Sequence, residues 1–165
     1  MSRAQKLTEV INCLEMIGLQ EPGVQHIVKG GNIYDLNTAG DIDYGAFCVT
    51  QRTHEVRDGW VTFRFYLFIV DKLFEDGSNK MAVQSQSISS LVDILRKFDG
   101  DSKVSFDGVP DWYLNDEYEY EATMEIHPFT QRFASECAGA YCDFDISFKI
   151  DSTCSTDPIE YDKIR

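Results

Sequence analysis

WVTFRFYLFIV, Trp60 to Val70, is the most apolar strand pattern in the chain, and its reading decides what kind of sheet the chain builds. Side chains alternate between the two faces of a strand. Val61, Phe63, Phe65, Leu67 and Ile69 therefore share one face, while Phe68 and Val70 make the far end of the other face apolar as well. A strand that is apolar on both faces near one end is either central in its sheet or covered by a partner. Just before it, Arg57-Asp58-Gly59 has the composition of a tight hairpin turn. That turn joins it to an earlier run, Tyr44 to Arg52, which contains Phe47, Cys48 and Val49.

Towards the C-terminus two more runs alternate with period two. Tyr118, Tyr120, Ala122, Met124 and Ile126 face one way, against Glu117, Glu119, Glu121, Thr123 and Glu125. Ala140, Cys142, Phe144, Ile146, Phe148 and Ile150 then alternate with Tyr141, Asp143, Asp145, Ser147 and Lys149. Regular alternation of this kind predicts strands with one covered face.

The helices read by their own period. Leu7, Val10, Ile11, Leu14 and Ile17 form one stripe, with Ser2 and Gln5 as a capping box and Gly18 as the left-handed residue that ends the helix. Asn79 to Phe98 predicts a second helix, with Ile88, Leu91, Val92, Leu95 and Phe98 on its buried side and Gly100 at the stop. Between the first helix and the first long strand lie a turn at Glu21-Pro22-Gly23, a short β candidate from Val24 to Val28, and a break at Gly30-Gly31-Asn32. The order is helix, hairpin strands, helix, strands. It predicts a single α+β domain over 1–150, with two helices packed on a mainly antiparallel sheet. Residues 151–165, polar and containing Pro158, read as an extended C-terminal arm.

With 165 residues, 43% hydrophobic and 13% aromatic, the chain can bury a core without a covalent staple. It carries 28 acids against 15 bases, a formal charge of −13, and its longest basic cluster is Arg96-Lys97. A protein that grips nucleic acid must neutralise phosphates, so direct binding is not expected. The charge serves solubility, or repulsion of a polyanion that must slide past without sticking. No apolar stretch approaches the ~20 residues of a membrane span. Met1 to Gly18 lacks the basic region and apolar block of a secretory signal, and the five scattered cysteines read as free thiols of a reducing compartment.

Catalytic and metal signatures are not found. There is no Gly-rich phosphate loop, nucleophile elbow or paired-histidine motif. Cys137 and Cys142, with His127 or Cys154, are the nearest approach to a zinc site, but their spacing of five exceeds the usual two to four. Seven acids lie between Asp107 and Glu125 with no Lys or Arg among them. A strand spreads Glu117, Glu119 and Glu121 in a row roughly 7 Å apart, where a cation site would need them to converge. His26, His54 and His127 are placed beside no thiol by anything in the sequence. No catalytic residue, cofactor or metal is therefore assigned. Two segments mix aromatic and charged residues between strands, the turn Arg52 to Arg57 and the stretch Phe129 to Glu136. Arg52, His54, Arg57, Trp60, Phe129, Arg132, Phe133 and Tyr161 are the expected interface residues, since aromatics and Arg are the usual anchors.

Several phrases resemble small virion proteins of tailed bacteriophages, especially those infecting Bacteroidales, including crAss-like phages. They are Ile33-Tyr34-Asp35-Leu36-Asn37, Asp43-Tyr44-Gly45, Phe65 to Asp71, Ala82-Val83-Gln84-Ser85, His127 to Phe133 and Cys137-Ala138-Gly139-Ala140-Tyr141. In order and spacing they span about residues 33 to 150. The proteins they resemble are neck or head–tail connector components, similar to tail-completion or tail-terminator subunits. The resemblance implies a virion protein made in the bacterial cytoplasm, with a helix-covered sheet in each subunit. It also implies a ring of six or twelve copies between portal and tail, with adjacent connector proteins as partners and DNA passing through unbound. Two other readings fit the residues alone: an acidic cytoplasmic adaptor unrelated to virions, and a small α+β enzyme with an unrecognised site.

Overall fold

The computed structural model describes residues 3–34, 45–132 and 135–150 (backbone alone at 3–5 and 122–124). In chain order the elements are α1 (Arg3–Leu19), β1 (His26–Ile27), β2 (Ala46–Gln51), β3 (Glu55–Arg57), β4 (Trp60–Lys72), α2 (Lys80–Arg96), a 3-10 turn at Gly100–Ser102, α3 (Asp111–Leu114), β5 (Glu119–Arg132) and β6 (Glu136–Lys149). The strands form one sheet in the order β1-β2-β4-β6-β5, with β3 paired to the start of β4. All neighbours are antiparallel except β1 and β2, which run parallel. The fold is α+β with a mixed, mostly antiparallel sheet.

β4 is central, which is the first of the two explanations for its doubly apolar end. It pairs with β2 and β3 on one side and with β6 along its whole length on the other. The hairpin before it closes through Asp58 (φ 51°) and Gly59 (φ 82°), with Arg57 opposite Trp60. Two consecutive positive φ values give the turn whose twist matches that of the flanking strands.

Both long helices lie on one face. Val10, Leu14 and Ile17 of α1, and Leu91 and Ile94 of α2 with Phe98 beyond it, bury Phe47, Phe65, Leu67, Cys142, Phe144 and Ile146 of the sheet. α2 is rotated relative to the predicted stripe: Ile94 is fully buried, while Val92 is 36% exposed. Gly18 does not end α1 in the left-handed region. The helix continues to Leu19, and Gly18 sits where a β-carbon would lie 2.5 Å from the Phe47 ring. Its role is close approach of helix to sheet. Gly100 likewise opens the 3-10 turn and caps nothing; the residue after α2 is Lys97.

A third helix, α3, was not predicted. Four residues are too few for a 3.6-residue period to show. It places Trp112 and Tyr113 in the core. Tyr113 Oη accepts the Val104 N–H at 3.1 Å and donates to the Lys97 carbonyl at 2.6 Å, closing the end of the helix layer. Lys103 fills the gap beside it, 2.6 Å from Asp116 and over the faces of Tyr113 and Tyr118.

The stretch from Phe129 to Glu136 does not interrupt the sheet. Phe129 to Arg132 finishes β5, Glu136 opens β6, and Phe129 pairs with Gly139. The Arg52–Arg57 turn is shorter than read, because Glu55 to Arg57 is β3. The capping box at Ser2, Tyr44, Phe133, Cys154, Tyr161 and the arm 151–165 lie outside the described residues.

Candidate interaction face

The helices cover one face of the sheet, and strand register determines what stands on the other. Arg64 pairs with Asp145, Tyr66 with Asp143, Phe68 with Tyr141, and Phe129 of β5 with Gly139. The open face divides along β4 into a charged half and an aromatic half.

In the charged half, Arg64 bridges Glu55 at 2.6 Å and Asp145 at 3.4 Å, and Arg52 reaches Asp143 at 3.2 Å. Thr62 and Ser147 share a hydroxyl hydrogen bond of 2.8 Å. Asp145 Oδ1 is buried and accepts no hydrogen bond among the described residues; the Arg52 guanidinium is 4.0 Å away. Burial raises the Asp145 carboxyl above its ordinary range, outweighing the opposing pull of Arg64 and Arg52. All five side chains of this network are about a third exposed, so each pair contributes at most about 1 kcal/mol. Their clearer effect is to fix the direction of Arg52, whose guanidinium lies 4.6 Å from the centre of the Tyr66 ring.

In the aromatic half, Phe68 stacks on Tyr141 at 5.3 Å, Phe129 meets Phe68 edge-on at 5.9 Å, and His127 stacks on Tyr141 at 5.0 Å. Beneath them lies a second small core of Val28, Ile33, Ala46, Cys48, Val70 and Cys137. Gly139 opens this floor: a β-carbon there would fall 1.9 Å from the Ile69 carbonyl oxygen. Between the rings and the Asn32–Tyr34 segment is a hollow of about 360 Å³, lined by no charged residue among the described ones. Its walls are mostly apolar, with Thr50, Asn32 and Gln131 supplying polar atoms at the rim.

Of the expected interface residues, the fold brings Arg52 and Phe129 to this face. His54 links β2 to β3: its Nδ1 accepts the Arg64 N–H at 3.2 Å, and its Nε2–H donates to Gln51 Oε1 at 3.0 Å. That bonding requires a neutral ring, and burial, aided by Arg64, lowers its pKa. Arg57 is exposed beside Asp58, and Trp60 is half-buried at the opposite end of the sheet from the hollow. Arg132 is exposed at the end of β5. Tyr66 and Tyr141 were missed. Their signal was present in the period-two pattern, as residues out of phase with the core and yet aromatic.

Cys137 and Cys142 stand on opposite faces of β6, as their odd spacing on a strand dictates, so they do not share a metal ion. Burial pushes the Cys142 thiol up to about 12. Along β5, the outermost strand, Glu119, Glu121 and Glu125 are all exposed, with the ladder to β6 broken between Ala122 and Ile126. Among the described residues, no helix is long and apolar enough to cross a membrane. The chain matches no known protein family, and no curated protein matches it.

Proposed function

We propose that this chain is a structural subunit that assembles with copies of itself into a ring, and that the ring is part of the neck, or head–tail connector, of a tailed phage. The observation that carries the assembly reading is the one-sided helix layer. Among the described residues it leaves an open sheet face with an aromatic hollow free of charged side chains at one end, where large apolar side chains stand half-exposed. Aromatic side chains in a charge-free setting have the composition of an interface core. The neck assignment draws on the phage-like phrases of the sequence.

Two further features support the reading. The exposed Glu119, Glu121 and Glu125 give β5 a negative edge suited to a wall that DNA slides past, because like charge repels phosphate. The arm 151–165 supplies a polar segment for neighbouring subunits to hold. Portal and adjacent connector proteins are the proposed partners above and below. Catalysis, a cofactor and a metal have no part in this proposal. Negative-stain imaging of the chain, alone and mixed with its candidate portal complex, tests it. Closed rings support the neck role. Discrete single particles in both samples favour an acidic cytoplasmic adaptor that uses the same face for a different protein. Removal of 151–165 is expected to weaken ring formation; unchanged rings would sink the role given to the arm.

A further inference from the structure

We infer that the hollow on the open face is filled by a second copy of this chain, through its Phe74 and Met81, in a head-to-tail contact. The inference rests on the assembly reading above and names the parts that meet.

Charge limits which surfaces of two such copies can approach. Each carries −13, so contact between ordinary stretches of surface is repulsive. Among the described residues, two patches escape this. The lining of the hollow has no charged side chain among the described residues. The other patch is α2, where no Asp, Glu, Lys or Arg occurs between Lys80 and Asp93, in a chain that is 26% charged. Met81, Ala82, Ser85, Gln86 and Ser89 make its exposed side. Depletion of charge around large apolar anchors is the compositional mark of an interface core.

Anchors stand at the head of this neutral stretch, Phe74 on a loop that also exposes Glu75 and Asp76. Met81 is 77% exposed and Phe74 63%. The loop that carries Phe74 is held in place: Asn79 Oδ1 accepts the Phe74 N–H at 2.8 Å, Asn79 Nδ2 donates to the Lys72 carbonyl at 3.2 Å, and the Gly77 N–H bonds the Phe74 carbonyl at 2.9 Å. A loop already fixed loses little backbone freedom on docking. A cavity of about 150 Å³ admits a benzene ring. The hollow, at about 360 Å³, has room for a Phe ring and a second side chain.

The two patches lie on different parts of one molecule. The hollow is on the open face, while Phe74 and Met81 stand where the chain leaves β4 for the helix layer on the other face. Such a contact is heterologous and passes from copy to copy, closing into a ring or running on as a filament.

Complementation of two full-length variants tests the contact. Phe74→Asp with Met81→Asp removes the anchors, and Gln131→Trp, at an exposed position on the rim, fills the hollow. Circular dichroism and thermal melts establish that both are folded. In sedimentation velocity the wild type is expected as an assembly and each variant alone as a monomer, its association weakened at least roughly tenfold. An equimolar mixture is expected to form a 1:1 heterodimer and nothing larger, because one intact anchor and one intact hollow remain. Folded variants that assemble like the wild type overturn the contact, as does a mixture that stays monomeric, or a wild type that never associates. If both variants still form rings, the contact falls and the ring reading stands. If complementation succeeds but the wild type forms filaments or open dimers, the contact stands and the ring reading falls.

Discussion

An alanine in place of Gly18 would favour an isolated helix by about 1 kcal/mol. Here that gain meets the Phe47 ring, 2.5 Å from where the new β-carbon would sit. Overpacking of a filled core costs typically about 1–3 kcal/mol, and Phe47 is fully buried and cannot swing away. Gly18→Ala is therefore expected to destabilise the protein by up to about 2 kcal/mol, measured as a lower urea midpoint; a rise would refute the packing role. Phe144 is the opposite case, a large side chain with no exposure, its ring 4.8 Å from that of Phe98. Phe144→Ala is expected to cost about 3–5 kcal/mol in urea unfolding, and a loss under 1 kcal/mol would place Phe144 outside the main core. His54 couples the fold to pH. Its folded pKa lies below the ordinary 6.5, so its contribution is fully present above that value and is lost as pH falls towards the folded pKa. Stability should fall as pH drops through and below the ordinary histidine range, with a smaller fall in His54→Asn. Equal slopes in the two proteins would show that His54 is not the titrating group.

At the level of elements, β5 shows how an exposed edge is kept from pairing. It has no strand partner on its outer side among the described residues. Its ladder to β6 breaks between Ala122 and Ile126, Pro128 has no N–H to offer, and Glu119, Glu121 and Glu125 stand exposed along it. Bulge, proline and charge are three ways of blunting an edge against a stray strand. Replacing Pro128 with Val and the three glutamates with Thr should produce aggregation visible by light scattering under conditions where the wild type stays clear. A clear solution would mean that the edge is protected by something else. Long periodic elements were legible in the sequence because their patterns repeat: α1, β4, β6 and the alternation of β5 follow from where Leu, Ile, Phe and Glu recur. The parallel pairing of β1 with β2, α3, and the true buried side of α2 were not, because each is decided by contacts far along the chain. The open face was half legible. Phe68 and Val70 announced it, and Phe129 was singled out, but only register brings Tyr66, Tyr141 and Arg52 beside them.

In the whole molecule, charge and apolar surface oppose one another. A net charge of −13 repels one copy from another, while in the proposed contact the aromatic hollow and the neutral side of α2 are where copies meet. The repulsion is long-ranged and screened, with a Debye length near 10 Å at 0.1 M salt, whereas apolar contact is short-ranged and hardly weakened by salt. Assembly should therefore strengthen as ionic strength rises from about 0.05 to 0.3 M; sedimentation velocity showing dissociation over that range would mean that charge pairs, and not apolar contacts, hold the copies together. The most direct test of self-assembly is the native mass of the full-length chain, alone and mixed with its candidate portal complex. The account predicts one closed species whose mass is a whole multiple, six or twelve, of the 18.8 kDa subunit. A mass of 18.8 kDa alone, with no copies retained by the portal complex, would contradict it.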